Sequence, residues 1–397
     1  MKKRSFWSLL LALTMVLTAC GAPVEKGSET SEKEESSAQS SSEAAADDKE
    51  PIYFAWYGPM TGDAKQYGDT EKIAVELALK DIEAKGWVLG GRKIVVDFYD
   101  DKNDAKEAVN IANKIIGENK YSAVIGGFGS TASMAAAPLY EEAKIVNYSP
   151  TSSHQKFSSL GDFIFRNTPT QQMETTQYAE YVYEKLGIRS VAVLYVNDDW
   201  GQNIADIFSA RFEELGGTIT DKQSYIPNQT SDFSPMITTA KETKPEAYFP
   251  VAYYQDSANI LKQAKNLGFE AQMILSSSVL KQELLDLAGE YAEGAFLMNA
   301  FAPTIDTEEF KRVMGEYTEK TGKQGDAFVM QTYDVVMQLA TAIEQAGSAD
   351  PVEMQKALAS MDAYPALAGP YGMNELGDAV RSLVPMRIEG GQFTPIK

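Results

Sequence analysis

From residue 51 onward, apolar runs of strand length alternate with amphipathic stretches of helix length, and this alternation restricts the fold more than any other feature. The predicted strands of the first half are 52–57, 94–99, 123–125 and 145–148, and the predicted helices are 70–85, 104–119 and 134–142. Asp69 is the predicted N-cap of the first helix, and Gly86 its predicted stop. Strands joined through helices pair in parallel, with helices on both faces of the sheet. The sequence therefore predicts an α/β fold.

The same alternation begins again after residue 170. The predicted strands there are 191–196, 247–251, 273–276, 295–299, 385–388 and 392–395, and the predicted helices are 170–186, 202–215, 233–241, 256–267, 281–287, 307–321, 327–346 and 351–361. We interpret the chain as two Rossmann-like lobes with parallel central sheets, joined by several crossing segments. Lobe 1 is predicted to comprise 51–169 and about 301–375, and lobe 2 to comprise 170–300 and about 376–397.

A glycine-rich turn at residues 126–129 follows the buried run 123–125 and leads into a predicted helix. A helix that begins at the carboxyl end of a parallel strand presents free backbone N–H groups and the positive end of its dipole to a ligand. Ser130, Thr131 and Ser133 add three hydroxyl groups at the same place. We expect this turn to bind an anionic group, such as a carboxylate, of a small polar molecule.

Other polar loops also follow predicted strands. They are 58–62 and 66–68 in the first loop, 149–154 after the fourth strand, and 197–201, 253–256 and 276–278 in the second half. Ligands of open α/β sheets bind outside the carboxyl ends of the strands. If the two lobes face each other, these loops meet in one cleft, and we predict that this cleft is the binding site.

Composition excludes several classes of function. The chain has a net charge of −20 and contains one cysteine, Cys20, and one histidine, His154. Nucleic acid is excluded as a partner because phosphate binding needs basic clusters, and the acidic surface favours a soluble monomer. A single cysteine cannot form a disulfide within the chain, and one cysteine with one histidine cannot form a Cys/His metal site, so we predict no disulfide, metal or cofactor. We also predict no enzyme activity, because His154 has no nucleophile motif beside it. Residues 127–132 fit the dinucleotide pattern G-x-G-x-x-A, but the acidic residue expected about twenty positions later is absent.

The N-terminal region has the features of an exported lipoprotein. Residues 2–4 are basic, and residues 6–17 form an apolar run too short to span a bilayer. Residues 17–20, Leu-Thr-Ala-Cys, look like a bacterial lipobox. We predict a signal peptide over 1–19, a lipid on Cys20, and a disordered tether over 20–50, which is rich in serine and acidic residues. The lipid would hold the protein at the extracytoplasmic face of the bacterial cell membrane.

Short motifs recur in a fixed order along the folded part of the chain. They are GPMTG at 58–62, QYG at 66–68, IGGFGS at 125–130, YSP at 148–150, DWG at 199–201, LKQA at 261–264 and EYAEG at 290–294. In this order and spacing, the chain from about residue 51 resembles the solute-binding lipoproteins of ABC transporters in the branched-chain amino acid (Leu/Ile/Val-binding) family. The resemblance implies the type I periplasmic-binding fold, with a multi-strand hinge between its lobes.

The binding positions of that family can be matched one at a time to this sequence. The resemblance implies that Ser130 binds the carboxylate of the ligand, and that Thr151 and Ser153 add a backbone contact and a hydroxyl. Aromatic residues match at Tyr67, Tyr253 and Trp200, and the last of these stands where the family usually has tyrosine. With the hydroxyls of the glycine-rich turn, the predicted ligand-binding residues are Tyr67, Ser130, Thr131, Thr151, Ser153, Trp200, Tyr253 and Ser277.

Ser277 is a departure from the family pattern. The resemblance places there the acidic residue that receives the α-amine of the ligand, and serine carries no charge to pair with an ammonium group. Asp198, Asp199 and Asp256 are alternative partners for an amine. The sequence therefore leaves the chemical class of the solute open.

We expect a transport receptor that captures a small amino acid, or a related carboxylate or amide, and delivers it to an ABC permease in the membrane. One alternative is a ligand-sensing module of the same fold that reports to a signalling partner. Another is a receptor for a different ligand, such as an aromatic acid. An extracellular hydrolase is disfavoured because the single histidine has no triad motif.

Lipid anchoring has a direct test. Cys20→Ser removes the predicted attachment site, so the variant should leave the membrane fraction and appear in the soluble fraction, because a disordered acidic tether has no apolar surface to hold it there. Cell fractionation followed by immunoblotting measures this distribution. Membrane retention of the variant at the wild-type level would refute the lipid anchor.

Overall fold

The structure is a computed structural model that describes residues 49–301 and 305–396. The predicted signal peptide, Cys20 and nearly all of the predicted tether lie outside these described residues, so they stay predictions. Within the described ranges, no helix has both the length and the apolar character needed to cross a membrane. Strands and helices alternate along most of the described chain, as the sequence predicts.

The first lobe is built on a five-stranded parallel sheet. Its strands are β1 (Ile52–Gly58), β2 (Ile94–Asp100), β3 (Tyr121–Ile125), β4 (Val146–Ser149) and β5 (Ile164–Arg166), in the spatial order β2-β1-β3-β4-β5. Every residue of β3 and β4 is buried, as expected for parallel strands covered on both faces. The sequence analysis missed β5, which is only three residues long.

Three helices connect these strands: α1 (Lys65–Ala84), α2 (Ala105–Glu118) and α3 (Ser130–Ala143). The predicted start of α2 is confirmed, because the Asp104 carboxylate accepts hydrogen bonds from two amides of the first turn. The prediction for α1 was wrong at its N-terminus, since Asp69 lies inside the helix and pairs there with Lys65. Helix α3 begins at Ser130 rather than at residue 134, so the polar residues of the glycine-rich turn form its first turn.

The second lobe is built on a four-stranded parallel sheet. Its strands are β6 (Ser190–Val196), β7 (Thr218–Tyr225), β8 (Ala247–Val251) and β9 (Gln272–Met273), in the order β7-β6-β8-β9. Its helices are α4 (Gln171–Glu184), α5 (Asp199–Glu214), α6 (Ser234–Glu242), α7 (Tyr254–Asn266) and α8 (Gln282–Ala288). Strand β7 was not predicted, because this edge strand is largely polar and only partly buried and so lacks an apolar run.

The remaining strands form a separate antiparallel sheet. It contains β10 (Phe296–Asn299), β11 (Val384–Glu389) and β12 (Gln392–Pro395), in sequence order. Helices α9 (Glu308–Thr321), α10 (Ala327–Ala346) and α11 (Pro351–Ala359) lie between β10 and β11 in the chain. Helix α10 is buried along most of its length and packs against α1 of the first lobe.

The chain passes between the two parallel sheets more than once. It leaves the first sheet after β5, enters α4 of the second lobe five residues later, and α9 again contacts α1 of the first lobe. The lobe boundaries predicted from the sequence remain a prediction. One hydrophobic cluster contains residues of both lobes, such as Phe54 of β1 and Leu261 of α7, and a second cluster lies within the second lobe. Tyr253 packs against both clusters.

Candidate ligand-binding cavity

A partly open cavity of about 60 Å³ lies where loops from the carboxyl ends of the two parallel sheets meet. We call it the interlobe cavity. Such a volume holds roughly four to six water molecules. Its lining residues are Phe128, Gly129, Ser130, Thr151, Ser153, Thr168, Pro169, Glu174, Trp200, Tyr253, Ser277, Ser278, Asn299, Ala300, Ala327, Phe328 and Gln331. Both lobes and α10 therefore contribute to one small polar and aromatic space.

Most of the residues predicted to bind ligand line this cavity. Those that do so are Ser130, Thr151, Ser153, Trp200, Tyr253 and Ser277. Tyr67 lies behind the lining and contacts it through its ring, whereas Thr131 faces a second cavity at the mouth of the cleft. The lining also contains residues that the sequence did not predict to bind ligand: Phe128, Glu174, Asn299, Phe328 and Gln331.

The glycine-rich turn brings the start of α3 close to the first sheet. A Cβ on Gly126 would lie 2.3 Å from the carbonyl oxygen of Tyr57, and the residue has a φ of +131°, which disfavours any side chain. A Cβ on Gly129 would lie 1.9 Å from Oδ1 of Asn103. Gly126 lets the backbone pass close to the Tyr57 carbonyl, and Gly129 leaves room for the Asn103 side chain, so that α3 begins beside the cavity.

Ser130 is the first residue of α3 and is almost fully buried beside the cavity. The first helical hydrogen bond runs from the amide of Ser133 to the carbonyl of Gly129 (3.0 Å), so the amides of residues 130–132 precede the helical bonding. The Ser130 hydroxyl accepts a hydrogen bond from the backbone amide of His154 (3.2 Å), which leaves its own proton for a ligand. This end of the cavity is rich in hydrogen-bond donors.

The only histidine supports this arrangement through its backbone. Its carbonyl accepts a hydrogen bond from Nη1 of the buried Arg166 (2.7 Å), and its amide donates to Ser130. Burial lowers the pKa of the His154 imidazole below its ordinary value, although the nearby Asp199 acts in the opposite direction. No hydrogen bond between the described residues joins this imidazole to the Ser130 hydroxyl, which bonds to a backbone amide instead.

The Thr151 hydroxyl is bonded within the first lobe. Its Oγ1 lies 3.2 Å from Oε1 of Glu71 and 3.0 Å from the carbonyl oxygen of Phe128. Nε1 of Trp56 donates to the other carboxyl oxygen of Glu71 at 3.1 Å. Burial raises the pKa of Glu71 to about 8, and the hydrogen bonds from Thr151 and Trp56 oppose that rise. Thr151 thus joins the cavity wall to a buried polar network beneath it.

Two stacked aromatic pairs form part of the wall. The rings of Trp200 and Tyr253 lie 4.9 Å apart at 16°, and those of Tyr67 and Phe128 lie 4.5 Å apart at 25°. Phe328 of α10 packs edge-on against Tyr67 at 5.0 Å. Rigid rings lose little conformational entropy when a ligand binds, so this wall suits an apolar part of a small solute.

Glu174 is the one acidic residue of the cavity lining. It lies in the first turn of α4, close to the hydroxyl of Ser277. Burial raises the pKa of Glu174 to about 7, and the nearby Ser277 hydroxyl partly offsets that rise. Glu174 lies near the start of the predicted helix 170–186, where an acidic residue commonly stabilises the helix dipole. The sequence around it therefore gave no sign that it lines the cavity.

The aspartates considered as amine partners lie elsewhere. Asp198 caps α5 through a bond from the amide of Gly201 (2.7 Å), and Asp256 accepts a bond from the Tyr225 hydroxyl (2.8 Å). Both line the second cavity, of about 410 Å³, at the mouth of the cleft. Burial raises the pKa of Asp198 to about 6. No aspartate belongs to the lining of the interlobe cavity.

Hydrogen bonds cross the cleft and close it. The Tyr67 hydroxyl accepts a bond from the amide of Tyr254 (3.2 Å) and donates to the carbonyl of Ser278 (3.3 Å). On the other side of the cleft, the amide of Asp199 donates to the Thr131 hydroxyl (3.2 Å). Tyr67 and Thr131 therefore contact the opposite lobe in this structure.

A buried ion pair also joins the two lobes. Lys281, just before α8, bonds to Asp326, the N-cap of α10, and its Nζ lies 3.3 Å from Oγ1 of Thr70. The same Nζ lies 5.1 Å from the centre of the Tyr67 ring and 5.0 Å from that of Phe328. Lys281 follows the second sheet in the chain, whereas α10 packs against α1 of the first lobe, so the pair contributes to holding these parts of the structure together.

The described residues contain no group of three or more His, Cys, Asp or Glu side chains that could hold a metal ion. The cavity offers hydroxyls, amides, rings and one carboxyl group. This set can bind a small solute through hydrogen bonds and apolar contact.

Residues 51–392 match the model of the family described as periplasmic binding protein, and the chain belongs to this family. The family consists of proteins that bind solutes, in agreement with an α/β fold of two lobes around a cavity. This confirms the resemblance drawn from the short motifs.

Two of the similar proteins are named for the amino acids that they bind. The chain is 28% identical over 331 residues to a Leu/Ile/Val-binding protein of Escherichia coli. The matched region covers 83% of this chain and 88% of the relative. The crystal structure of a leucine-binding protein from Thermotoga maritima is similar with a TM-score of 0.80 and 27% identity, over 87% of this chain and 98% of that one. A solute-binding protein of an ABC transporter from Rhodopseudomonas palustris, in complex with 3,4-dihydroxybenzoic acid, shares the fold: its TM-score is 0.80 and its identity 22%, over 88% of this chain and 96% of that one.

The buried pair of Lys281 and Asp326 leads to a stability prediction. Lys281→Met leaves the Asp326 carboxylate buried without its cation, so it should lower the free energy of unfolding by about 3–5 kcal/mol. Adding Asp326→Asn should recover part of that loss, because the asparagine carries no charge. Urea unfolding of the two single variants and the double variant measures the coupling.

Lys320→Met is the control, because Lys320 forms a comparable but exposed pair with Glu76. Its effect should stay below about 1 kcal/mol. Equal losses for Lys281→Met and Lys320→Met would show that the interlobe pair does not stabilise the structure.

Proposed function

We propose that this protein is the extracytoplasmic solute-binding lipoprotein of an ABC importer, and that the interlobe cavity captures a small amino acid or a related carboxylate or amide. The observation that carries this proposal is the cavity itself, which residues of both lobes enclose and into which one helix N-terminus points. The family of solute-binding proteins to which the chain belongs supports it. The protein would then deliver the solute to a membrane permease.

The carboxylate of the solute would bind at the start of α3. There the Ser130 hydroxyl and the amides of residues 130–132 are available as donors, and Ser153 adds a hydroxyl nearby. Hydrogen bonds to a charged group contribute roughly 1.5–3 kcal/mol each. The rings of Tyr253, Trp200 and Phe328 would contact the apolar part of the solute, with Tyr67 supporting them from behind.

The chemistry of the lining supports release of the solute unchanged. Catalysis of acyl transfer needs a nucleophile bonded to a general base, and the Ser130 hydroxyl bonds instead to a backbone amide. The hinge segments between the lobes would let the cleft open for release.

The membrane anchor is part of the same proposal. A lipid on Cys20 and a tether up to residue 50 would keep the folded protein close to its permease, since a flexible chain of this length has a reach of about 30 Å. A sensor that reports to a signalling partner is the alternative in the same fold. The relative that holds 3,4-dihydroxybenzoic acid keeps an aromatic acid as an alternative solute.

Solute binding should stabilise the protein by mass action. A ligand at a hundred times its Kd raises the free energy of unfolding by about 2.7 kcal/mol. We expect a rise in Tm of the full-length protein, purified in detergent, with at least one member of a panel of amino acids, aromatic acids and short amides. Thermal unfolding measures this rise, and unchanged melting curves across the whole panel would contradict the proposed ligand class.

Ser130→Ala should weaken the binding of the solute found in this way by about 1–3 kcal/mol, because one carboxylate oxygen loses its partner. Isothermal titration calorimetry measures the change. Ser209→Ala is the matched control, since Ser209 is also buried in a helix and bonds only to the carbonyl of Ala205. An affinity of Ser130→Ala equal to that of the control would remove Ser130 from the site.

A further inference from the structure

Glu174 is the only formally charged side chain in the lining of the interlobe cavity. It is half-buried and lies close to the Ser277 hydroxyl, and no ion pair among the described residues includes it. Removing a carboxylate from water without a cation nearby is costly, so proteins seldom leave such a group unpaired. A bound solute with a positively charged group would supply the cation that this carboxyl group lacks.

The donors and the acceptor of the cavity come from different elements. The first turn of α3 supplies hydroxyl and amide donors, whereas α4 supplies the carboxyl group of Glu174 and the loop at Ser277 supports it. The lining contains no lysine or arginine. A solute with both a carboxylate and an ammonium group would pair with the donors and with the acceptor, with its carboxylate at Ser130 and its ammonium group at Glu174.

We propose that Glu174 is the residue that receives the ammonium group of the solute and so selects a zwitterion over a simple carboxylic acid. This inference rests on the proposed function and adds the residue that decides the ligand class. Glu174 occupies the side of the cavity where Ser277 stands, so it supplies from α4 the charge that the serine lacks. A simple carboxylate would add a second negative charge beside Glu174, with no cation in the lining to offset it.

The two solute classes differ in how their binding depends on pH. Glu174 has a raised pKa of about 7, because burial favours its neutral form. It must lose its proton to pair with an ammonium group, so the affinity for a zwitterion should fall about tenfold per pH unit below pH 7. A simple carboxylate should bind better as the pH falls through 7, because protonation removes the repulsive charge.

Other titratable groups lie near the cavity and must be separated from Glu174. Tyr178, one turn further along α4, stays neutral because burial raises its pKa, and Glu174 adds to that rise. Asp198, the N-cap of α5, accepts a hydrogen bond from the hydroxyl of Tyr253 in the cavity lining. The backbone amide of His154 donates to the hydroxyl of Ser130, which is also in the lining. The informative quantity is therefore the difference between the pH profiles of the wild type and of a Glu174 variant.

The experiment is calorimetric titration of the full-length protein from pH 5.5 to 8.5 with matched pairs of solutes. The probes are L-leucine with 4-methylpentanoate, L-phenylalanine with 3-phenylpropanoate, and benzoate. We expect an amino acid to bind at pH 8 about thirtyfold or more tightly than its partner without the amine, a difference typical of removing one member of a buried charge pair. Glu174→Gln should abolish this preference and the loss of affinity below pH 7.

Glu180→Gln is the matched control on the same helix, because Glu180 forms a partly exposed pair with Arg211 and does not line the cavity. It should keep the wild-type preference. The double variant Glu174→Gln/Ser277→Glu returns a carboxyl group to the same side of the cavity and should recover part of the preference.

Each outcome decides the inference. Equal or tighter binding of the acids without an amine by the wild type would overturn the role of Glu174 and leave a solute-binding protein for simple carboxylates. A preference that persists in Glu174→Gln would also overturn it. If the wild type binds none of the probes, both this inference and the proposed amino acid class fail. The pH profile of the wild type decides the matter even if a variant does not fold.

Discussion

The close approach of the backbone at Gly126 and Gly129 to the first sheet is the constraint on which the candidate site depends. A side chain at Gly126 would collide with the carbonyl oxygen of Tyr57 at a disfavoured positive φ, and one at Gly129 would displace the Asn103 side chain, so glycine favours the direct turn from β3 into α3. The turn directs unbonded amides and the Ser130 hydroxyl at the space between the lobes. The opposing lobe completes the site through its rings, Ser277 and Glu174.

Closure of the cleft combines apolar and polar contacts. Tyr253 packs against two hydrophobic clusters, one of which contains residues of both lobes, and the pair of Lys281 and Asp326 is buried. Water is thereby removed from the polar groups that face the cavity, which strengthens their interactions with a solute and raises the cost of leaving them unpaired. The same burial that makes donors effective at Ser130 makes an unpaired carboxyl group at Glu174 costly.

Patterns with a local cause could be predicted from the sequence, and tertiary effects could not. Apolar periodicity identified most of the strands and helices, and the turn at 126–129 located the candidate site. Both signals lie in short stretches of neighbouring residues, so they are visible without the tertiary structure. Strand β7 was missed because its polar residues lie at a sheet edge. The start of α1 was predicted wrongly because Asp69, the predicted N-cap, lies inside the helix. Glu174 was missed because α4 and the loop at Ser277 are about a hundred residues apart in the sequence and meet only when the second lobe is folded.

A crystal structure of the protein with a bound solute tests the central claim most directly. The account predicts solute density inside the interlobe cavity, with carboxylate oxygens within hydrogen-bonding distance of the Ser130 hydroxyl and of the amides at the start of α3. A solute bound outside this cavity, for example in the open surface groove beside Phe269 and Tyr291, with the interlobe cavity empty, would contradict it.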